Sequence, residues 1–156
     1  MTDFKVEDRD YDLWLLLART HYRVKQARTA ELRRYGLSPE QAGIIYYVYS
    51  SGNNAMPIEI SRWMMREPQT ITSILDRMVK KGLIRKTHDS ERKNVVRISL
   101  TEKGRLAYQR SIKRESFHRI MQELSEEKRQ ALRETLNQMR ESALHLAGAG
   151  QESTEV

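Results

Sequence analysis

A cluster of amide, hydroxyl and basic side chains between residues 69 and 81 carries the clearest chemistry in this sequence. The candidates for base recognition are Gln69, Thr70, Thr72 and Ser73. An amide can bond adenine in a bidentate manner, and the hydroxyl or methyl group of threonine can meet several bases in a major groove. Arg77, Lys80 and Lys81 suit contacts to phosphates, where charge matters and base sequence does not. The plain alternative is a solvated helix face.

The surrounding residues must place this cluster on one side of a helix. Ile71, Ile74, Leu75, Met78 and Val79 recur at the spacing of one helical face, which predicts an amphipathic helix with the polar groups opposite. Pro68 suits a first helical position and Gly82 a stop. Two β-branched runs follow, at residues 83–87 and 95–100, and the polar residues 89–94 between them predict a hairpin.

Three consecutive stretches carry a family resemblance. TITSILDRMVKKGLIRK, a hairpin beginning DSERKN, and the exit VVRISLTEKGR resemble the winged helix-turn-helix of the MarR family of bacterial and archaeal transcription regulators. The resemblance implies a mainly α fold with a small β wing, and a wing that touches DNA through Asp89, Arg92 and Lys93. Either basic residue could enter the minor groove. Asp89 is expected to orient Arg92 through an ion pair at the hairpin tip.

The chain is expected to form one MarR-like domain over residues 1–156, with a DNA-binding core at 37–100. Residues 11–35 and 101–147 are then the dimerisation helices, and residues 148–156 have the composition of a flexible tail. Thr101-Glu102 opens what the pattern predicts to be one long fifth helix reaching Leu124. A final helix shows leucine and methionine at alternating spacings of four and three, which is typical of a helix that packs on another helix. This favours a homodimer.

The resemblance also implies a small phenolic or aromatic effector, bound where the dimer helices meet the winged core. Aromatic and imidazole side chains expected near that junction are Trp14, His21, Tyr46 and Trp63. Each of them can equally be an ordinary core residue.

Composition narrows the remaining function classes. The chain holds 28 Lys and Arg against 21 Asp and Glu, a net charge of +7, and residues 57–100 alone carry ten basic and five acidic residues. This excess favours a polyanionic partner. The absence of cysteine excludes disulfides and thiolate metal sites, and Glu115 with His118, one helical turn apart, makes a poor metal site. No motif of an enzyme or a bound cofactor is present.

These features together predict a sequence-specific transcription regulator that binds double-stranded DNA. It is expected to act as a homodimeric repressor on a pseudo-palindromic operator and to be released by a small-molecule effector. The alternatives are a non-specific architectural DNA-binding protein and a winged-helix module for protein contact. The acidic N-terminus lacks an apolar run of signal-peptide length, and no stretch approaches a membrane span, so the expected location is the cytoplasm, with no membrane partner.

Overall fold

The protein is predominantly helical with one small β-hairpin, as the sequence predicts. The computed structural model describes residues 8–152, with the side chains of residues 8–148. Its helices are α1 (Arg9–Arg33), α2 (Pro39–Ser50), α3 (Pro57–Met64), α4 (Pro68–Lys80), α5 (Glu102–Ser111), α6 (Glu115–Met121) and α7 (Glu126–Glu152). Strands β1 (Ile84–His88) and β2 (Val96–Leu100) pair antiparallel, with Ile84 opposite Leu100. The predicted helix-turn-helix and wing are therefore confirmed.

The chain divides into two compact units, Met1–Ser116 and Phe117–Val156. The hydrophobic core described by the structure lies in the first unit. Its largest fully buried side chains come from α1 through β2: Leu32, Ile44, Ile45, Val48, Ile60, Ile71, Leu75, Met78, Ile84, Ile98 and Leu100. Ala55, in the loop before α3, exchanges two backbone hydrogen bonds with Ile98 of β2, at 3.1 and 2.8 Å. This bridge ties the wing to the helical core.

Helix starts in the first unit follow their local sequence signals. Ser38 and Gln41 form a capping box at the start of α2, since Ser38 Oγ accepts from Gln41 N at 3.1 Å and Gln41 Oε1 accepts from Ser38 N at 3.2 Å. Met56 offers no side-chain cap to α3, but Glu59 Oε2 accepts from the backbone N–H of Met56 at 2.8 Å. Helix α1 begins two residues before the predicted Tyr11, because Asp8 caps it.

The single long fifth helix predicted after Thr101 is wrong. Helix α5 ends at Ser111, α6 begins at Glu115, and between them Arg114 adopts a left-handed backbone conformation with φ of 48°. Residues other than glycine rarely adopt this backbone conformation unless their surroundings stabilise it. The stabilisation comes from α1, about 80 positions earlier in the chain.

A buried ion pair on α1 satisfies both helix ends at this break. Arg28 Nη2 donates to Ser111 O at 2.7 Å, and Arg28 Nη1 lies 2.8 Å from Glu31 Oε1. The Glu31 carboxylate accepts from the backbone N–H groups of Glu115 and Ser116 at 3.0 and 3.1 Å, and from the Ser116 hydroxyl. Burial alone would raise the pKa of Glu31, but the hydrogen bonds from Ser116 and Arg28 outweigh it and lower the pKa to about 2. We refer to Arg28 and Glu31 as the α1 clamp.

In the second unit, α7 carries an exposed apolar stripe. Ser125 Oγ accepts a hydrogen bond from Lys128 N at 3.3 Å at the start of this helix. Leu132, Leu136, Met139 and Leu146 are all exposed, by 39–77%. The helix continues to Glu152, whereas the sequence predicts a tail from Gly148, and residues 153–156 of that tail lie outside the described residues. None of the helices within residues 8–152 is long and apolar enough to cross a membrane.

Candidate nucleic-acid interface

Helix α4 is held by one face and presents the other to solvent. Ile71, Ile74, Leu75 and Met78 are buried in the core, whereas Val79, assigned to the same face from the sequence, is 39% exposed at its edge. The four candidates for base recognition are all exposed on the opposite side: Gln69, Thr70, Thr72 and Ser73. The structure therefore brings the predicted reading residues together on one accessible surface, which we call the α4 face.

Two hydroxyls on the α4 face are already bonded within the helix. Thr72 Oγ1 donates to Pro68 O at 3.0 Å, and Ser73 Oγ donates to Gln69 O at 3.1 Å. Both bonds run to a carbonyl four residues back, a common arrangement for these side chains in helices. Each hydroxyl still has lone pairs that can accept a hydrogen bond.

The cations assigned to phosphates separate into two groups. Arg77 and Lys80 are exposed on α4, next to the α4 face. Lys81, by contrast, turns back to the loop before α2, where its ammonium donates to Gly36 O at 3.0 Å and to Gln41 Oε1 at 3.3 Å. We therefore build the proposed interface on Arg77 and Lys80, and the contact of Lys81 with DNA stays a prediction.

An ion pair that sequence reasoning missed joins α4 to the wing. Lys86 Nζ of β1 lies 2.6 Å from Asp76 Oδ1, and this hydrogen bond with its positive charge lowers the pKa of Asp76. Both residues stand out in the sequence only as members of a charged stretch. Their pairing depends on the packing of β1 against α4, for which the sequence holds no local signal.

The tip of the wing is organised by Asp89, though not through the predicted partner. Its Oδ1 accepts from the backbone N–H groups of Glu91 and Arg92, at 3.0 and 3.4 Å, and its Oδ2 lies 3.4 Å from Nη2 of Arg97. The two backbone hydrogen bonds, reinforced by Arg97, lower the pKa of Asp89. The expected ion pair between Asp89 and Arg92 is thus wrong, because the β-hairpin brings Arg97 beside the acid. The side chains of Arg92 and Lys93 remain exposed.

A groove of about 630 Å³ opens beside the α4 face, between α4 and the start of α2. Its walls include Arg66, Arg77, Thr70, Ser73, Ser38 and Gln41. Glu40 also lines it and is paired with Lys25 at 3.0 Å. Arg66, an exposed residue not singled out from the sequence, adds a second guanidinium next to the reading residues. The sequence feature that could have pointed to Arg66 is its position in the turn between α3 and α4.

The predicted effector residues are brought together only in part. Tyr46 of α2 and Trp63 of α3 lie with ring centroids 6.1 Å apart, and the Arg114 guanidinium sits 4.8 Å from the centre of the Tyr46 ring. Trp14 is 53% exposed and stacks on Tyr11 of its own helix at 5.5 Å, and His21 is exposed. No ring contact within the described part of the chain joins Trp14 to Tyr46 or Trp63.

A family model and a curated relative each match part of this chain. The model of the MarR family matches residues 37–95. The HTH-type transcriptional repressor MdtR of Bacillus subtilis (strain 168) is 24% identical over 98 residues, which cover 63% of each chain, so the match spans less than two thirds of that relative.

Two solved structures are similar over most of the chain. The organohalide sensing RdhR transcriptional regulator, in its 2,4-dichlorophenol bound form, has a TM-score of 0.83 and 28% identity, covering 94% of this chain and 88% of that one. The MepR–DNA complex of S. aureus has a TM-score of 0.76 at 22% identity, covering 87% and 99% respectively. The latter similarity concerns the fold alone.

Proposed function

We propose that this chain is a DNA-binding transcriptional regulator of the MarR family, whose model matches residues 37–95, and that it acts as a homodimeric repressor of a pseudo-palindromic operator. The observation that carries the proposal is the α4 face, where amide and hydroxyl groups are exposed beside exposed cations of α4 and the wing. Gln69 and its neighbours are assigned to base edges in the major groove. Arg77 and Lys80 are assigned to phosphates, with Arg92 or Lys93 entering the adjacent minor groove.

Exposed apolar side chains at both ends of the chain support the homodimer. On α1, Tyr11, Leu13, Trp14 and Leu16 are each more than half exposed. The stripe on α7 is exposed as well, and soluble monomers rarely leave apolar patches of this extent uncovered. Two copies related by a two-fold axis present two α4 faces, which require half-sites about 10 base pairs apart, centre to centre.

Repression and its release rest on the relatives and on the aromatic pair of α2 and α3. The Bacillus subtilis relative is named a transcriptional repressor, and the RdhR regulator was solved with 2,4-dichlorophenol bound. We assign a small aromatic effector to the surface around Tyr46 and Trp63, where ring stacking and the Arg114 guanidinium are available. An effector releases DNA only if it binds better to a dimer whose α4 faces do not match the operator.

The experiment that tests the function is selection of bound fragments from randomised DNA, followed by salt titration of the recovered site and of a scrambled one. Four cations per subunit, Arg77, Lys80, Arg92 and Lys93, each neutralise one DNA charge, whether on the backbone or in the minor groove, which gives eight neutralised charges in a dimer. The logarithm of affinity should then fall by about 7 for each tenfold rise in salt. A two-fold site bound at least a hundredfold more tightly than the scramble supports the proposal.

Two outcomes would contradict it. Equal binding to both DNAs with equal salt slopes would make the protein a non-specific architectural binder. No DNA binding would favour a winged module for protein contact. Light scattering on the same samples measures the mass in solution, and a mass of one chain, 18.4 kDa, at the concentrations that bind DNA would overturn the homodimer.

A further inference from the structure

Two of the three hydroxyl protons on the α4 face, those of Thr72 and Ser73, are already donated within the helix, and this restricts what these two residues can offer to a base. A hydroxyl has one proton to donate, and Thr72 and Ser73 both donate theirs to carbonyls of their own helix, at 3.0 and 3.1 Å. What remains on each oxygen is a pair of acceptor sites. The other two candidates for base recognition, Gln69 and Thr70, are exposed and carry an amide donor and a hydroxyl donor.

The position of the hydroxyl also decides where the methyl group of Thr72 lies. Threonine carries two heavy atoms on Cβ, and in a helix its oxygen can turn to the carbonyl of the preceding turn. With Oγ1 bonded to Pro68 O, the other branch, Cγ2, is the one left on the surface of this exposed residue. The feature of a base edge that matches a methyl group in the major groove is the 5-methyl group of thymine.

We propose that α4 selects thymine at the base pair facing Thr72 through contact between two methyl groups, and that the Thr72 hydroxyl is a helix-bonded group that donates nothing to DNA. Hydrogen-bond donation to bases then falls to the amide of Gln69 and the hydroxyl of Thr70. This inference rests on the proposed function, since it assumes that α4 reads a major groove. It resolves which part of Thr72 carries base preference.

The test uses the full-length protein and the operator recovered by selection. Each thymine of a half-site is replaced in turn by uracil, which removes only the methyl group. Wild-type protein should lose affinity at one thymine per half-site by about fourfold, and by about fifteenfold when both half-sites are changed, the effect of removing one buried methyl group at each contact. The change lies in the DNA, so the folding of the protein is not disturbed.

Two variants separate the methyl group from the hydroxyl. T72V keeps the methyl group and loses the hydroxyl, and it should bind the operator within twofold of wild type with the same sensitivity to uracil. T72S keeps the hydroxyl and loses the methyl group, and it should lose about the same fifteenfold over two half-sites while becoming insensitive to uracil.

The inference is overturned if T72V loses as much affinity as T72S, or if uracil at every position is without effect on the wild-type protein. In either case the operator itself still stands, and the proposed function survives. Selection that recovers no preferred sequence overturns the proposed function and this inference together.

Discussion

Replacing Glu31 by glutamine tests whether the α1 clamp holds the break between α5 and α6. The glutamine side chain has the same shape, but one carboxylate oxygen becomes an NH2 group, so one of the two N–H groups, of Glu115 or of Ser116, loses its acceptor. It also leaves Arg28, 7% exposed, without its buried counter-charge. Loss of one partner from a buried, hydrogen-bonded pair is strongly destabilising.

The magnitude follows from the pKa of Glu31. Lowering the pKa from 4.5 to about 2 corresponds to a contribution of about 3 kcal/mol to the free energy of unfolding at neutral pH. Because the folded-state pKa is the lower one, this contribution is complete above pH 4.5 and is lost as the pH falls toward 2. By pH 3 about 2 of those 3 kcal/mol should have disappeared.

Urea denaturation of wild type and E31Q at pH 7 and pH 3 measures both quantities. The variant should be less stable by about 3 kcal/mol at pH 7, and by clearly less at pH 3, since the wild type alone loses the Glu31 contribution. E115Q is the matched control, because Glu115 is an exposed carboxylate, 3.1 Å from Arg34, whose removal should cost under about 1 kcal/mol. If E31Q and E115Q are equally stable, or if the E31Q deficit is the same at both pH values, the reasoning is refuted.

Three further substitutions address packing and charge. G104A should cost several kcal/mol in denaturation experiments, because an added Cβ would lie 2.1 Å from Leu83 O, whereas G148A on α7 meets nothing within 4 Å and should be neutral or stabilising. R92A should weaken binding to all DNA sequences alike and reduce the salt slope by about 2 for a dimer, and an unchanged slope would exclude Arg92 from phosphate contact. D76N should strengthen DNA binding at low salt and steepen the salt slope, because it removes the carboxylate that lies 2.6 Å from Lys86 Nζ. Weaker DNA binding by D76N would instead mean that the ion pair positions the wing.

Local sequence signals predicted the reading helix and the wing well. The period of Ile71, Ile74, Leu75 and Met78 defines which side of α4 is buried, and polar residues between them are exposed for that reason alone. The capping box at Ser38 likewise depends on residues three apart. In the stretch VVRISLTEKGR, which resembles the MarR family, the glycine has a physical reason, because a Cβ at Gly104 would lie 2.1 Å from Leu83 O.

Features that depend on distant residues could not be predicted in this way. The continuous pattern after Thr101 is helical in character, and the break at Arg114 is stabilised by a carboxylate 84 positions away from the N–H it accepts. The predicted ion pair of Asp89 with Arg92 was wrong for a similar reason. Arg97, the actual partner, lies eight residues along the chain and comes near Asp89 only when the hairpin forms. Placing Trp14 with Tyr46 required knowing how α1 lies on the core.

The charges of the wing have a second consequence, for solubility. Strand β1 pairs with β2 and with no other strand within the described part of the chain, so it is an edge strand of the sheet. Exposed strand edges of this kind promote aggregation unless charged side chains discourage it. Arg85 and Lys86 are exposed on β1, but Lys86 is paired with Asp76 at 2.6 Å, so the repulsion between copies at this edge comes mainly from Arg85. Neutralising Arg85 should therefore favour self-association at this edge.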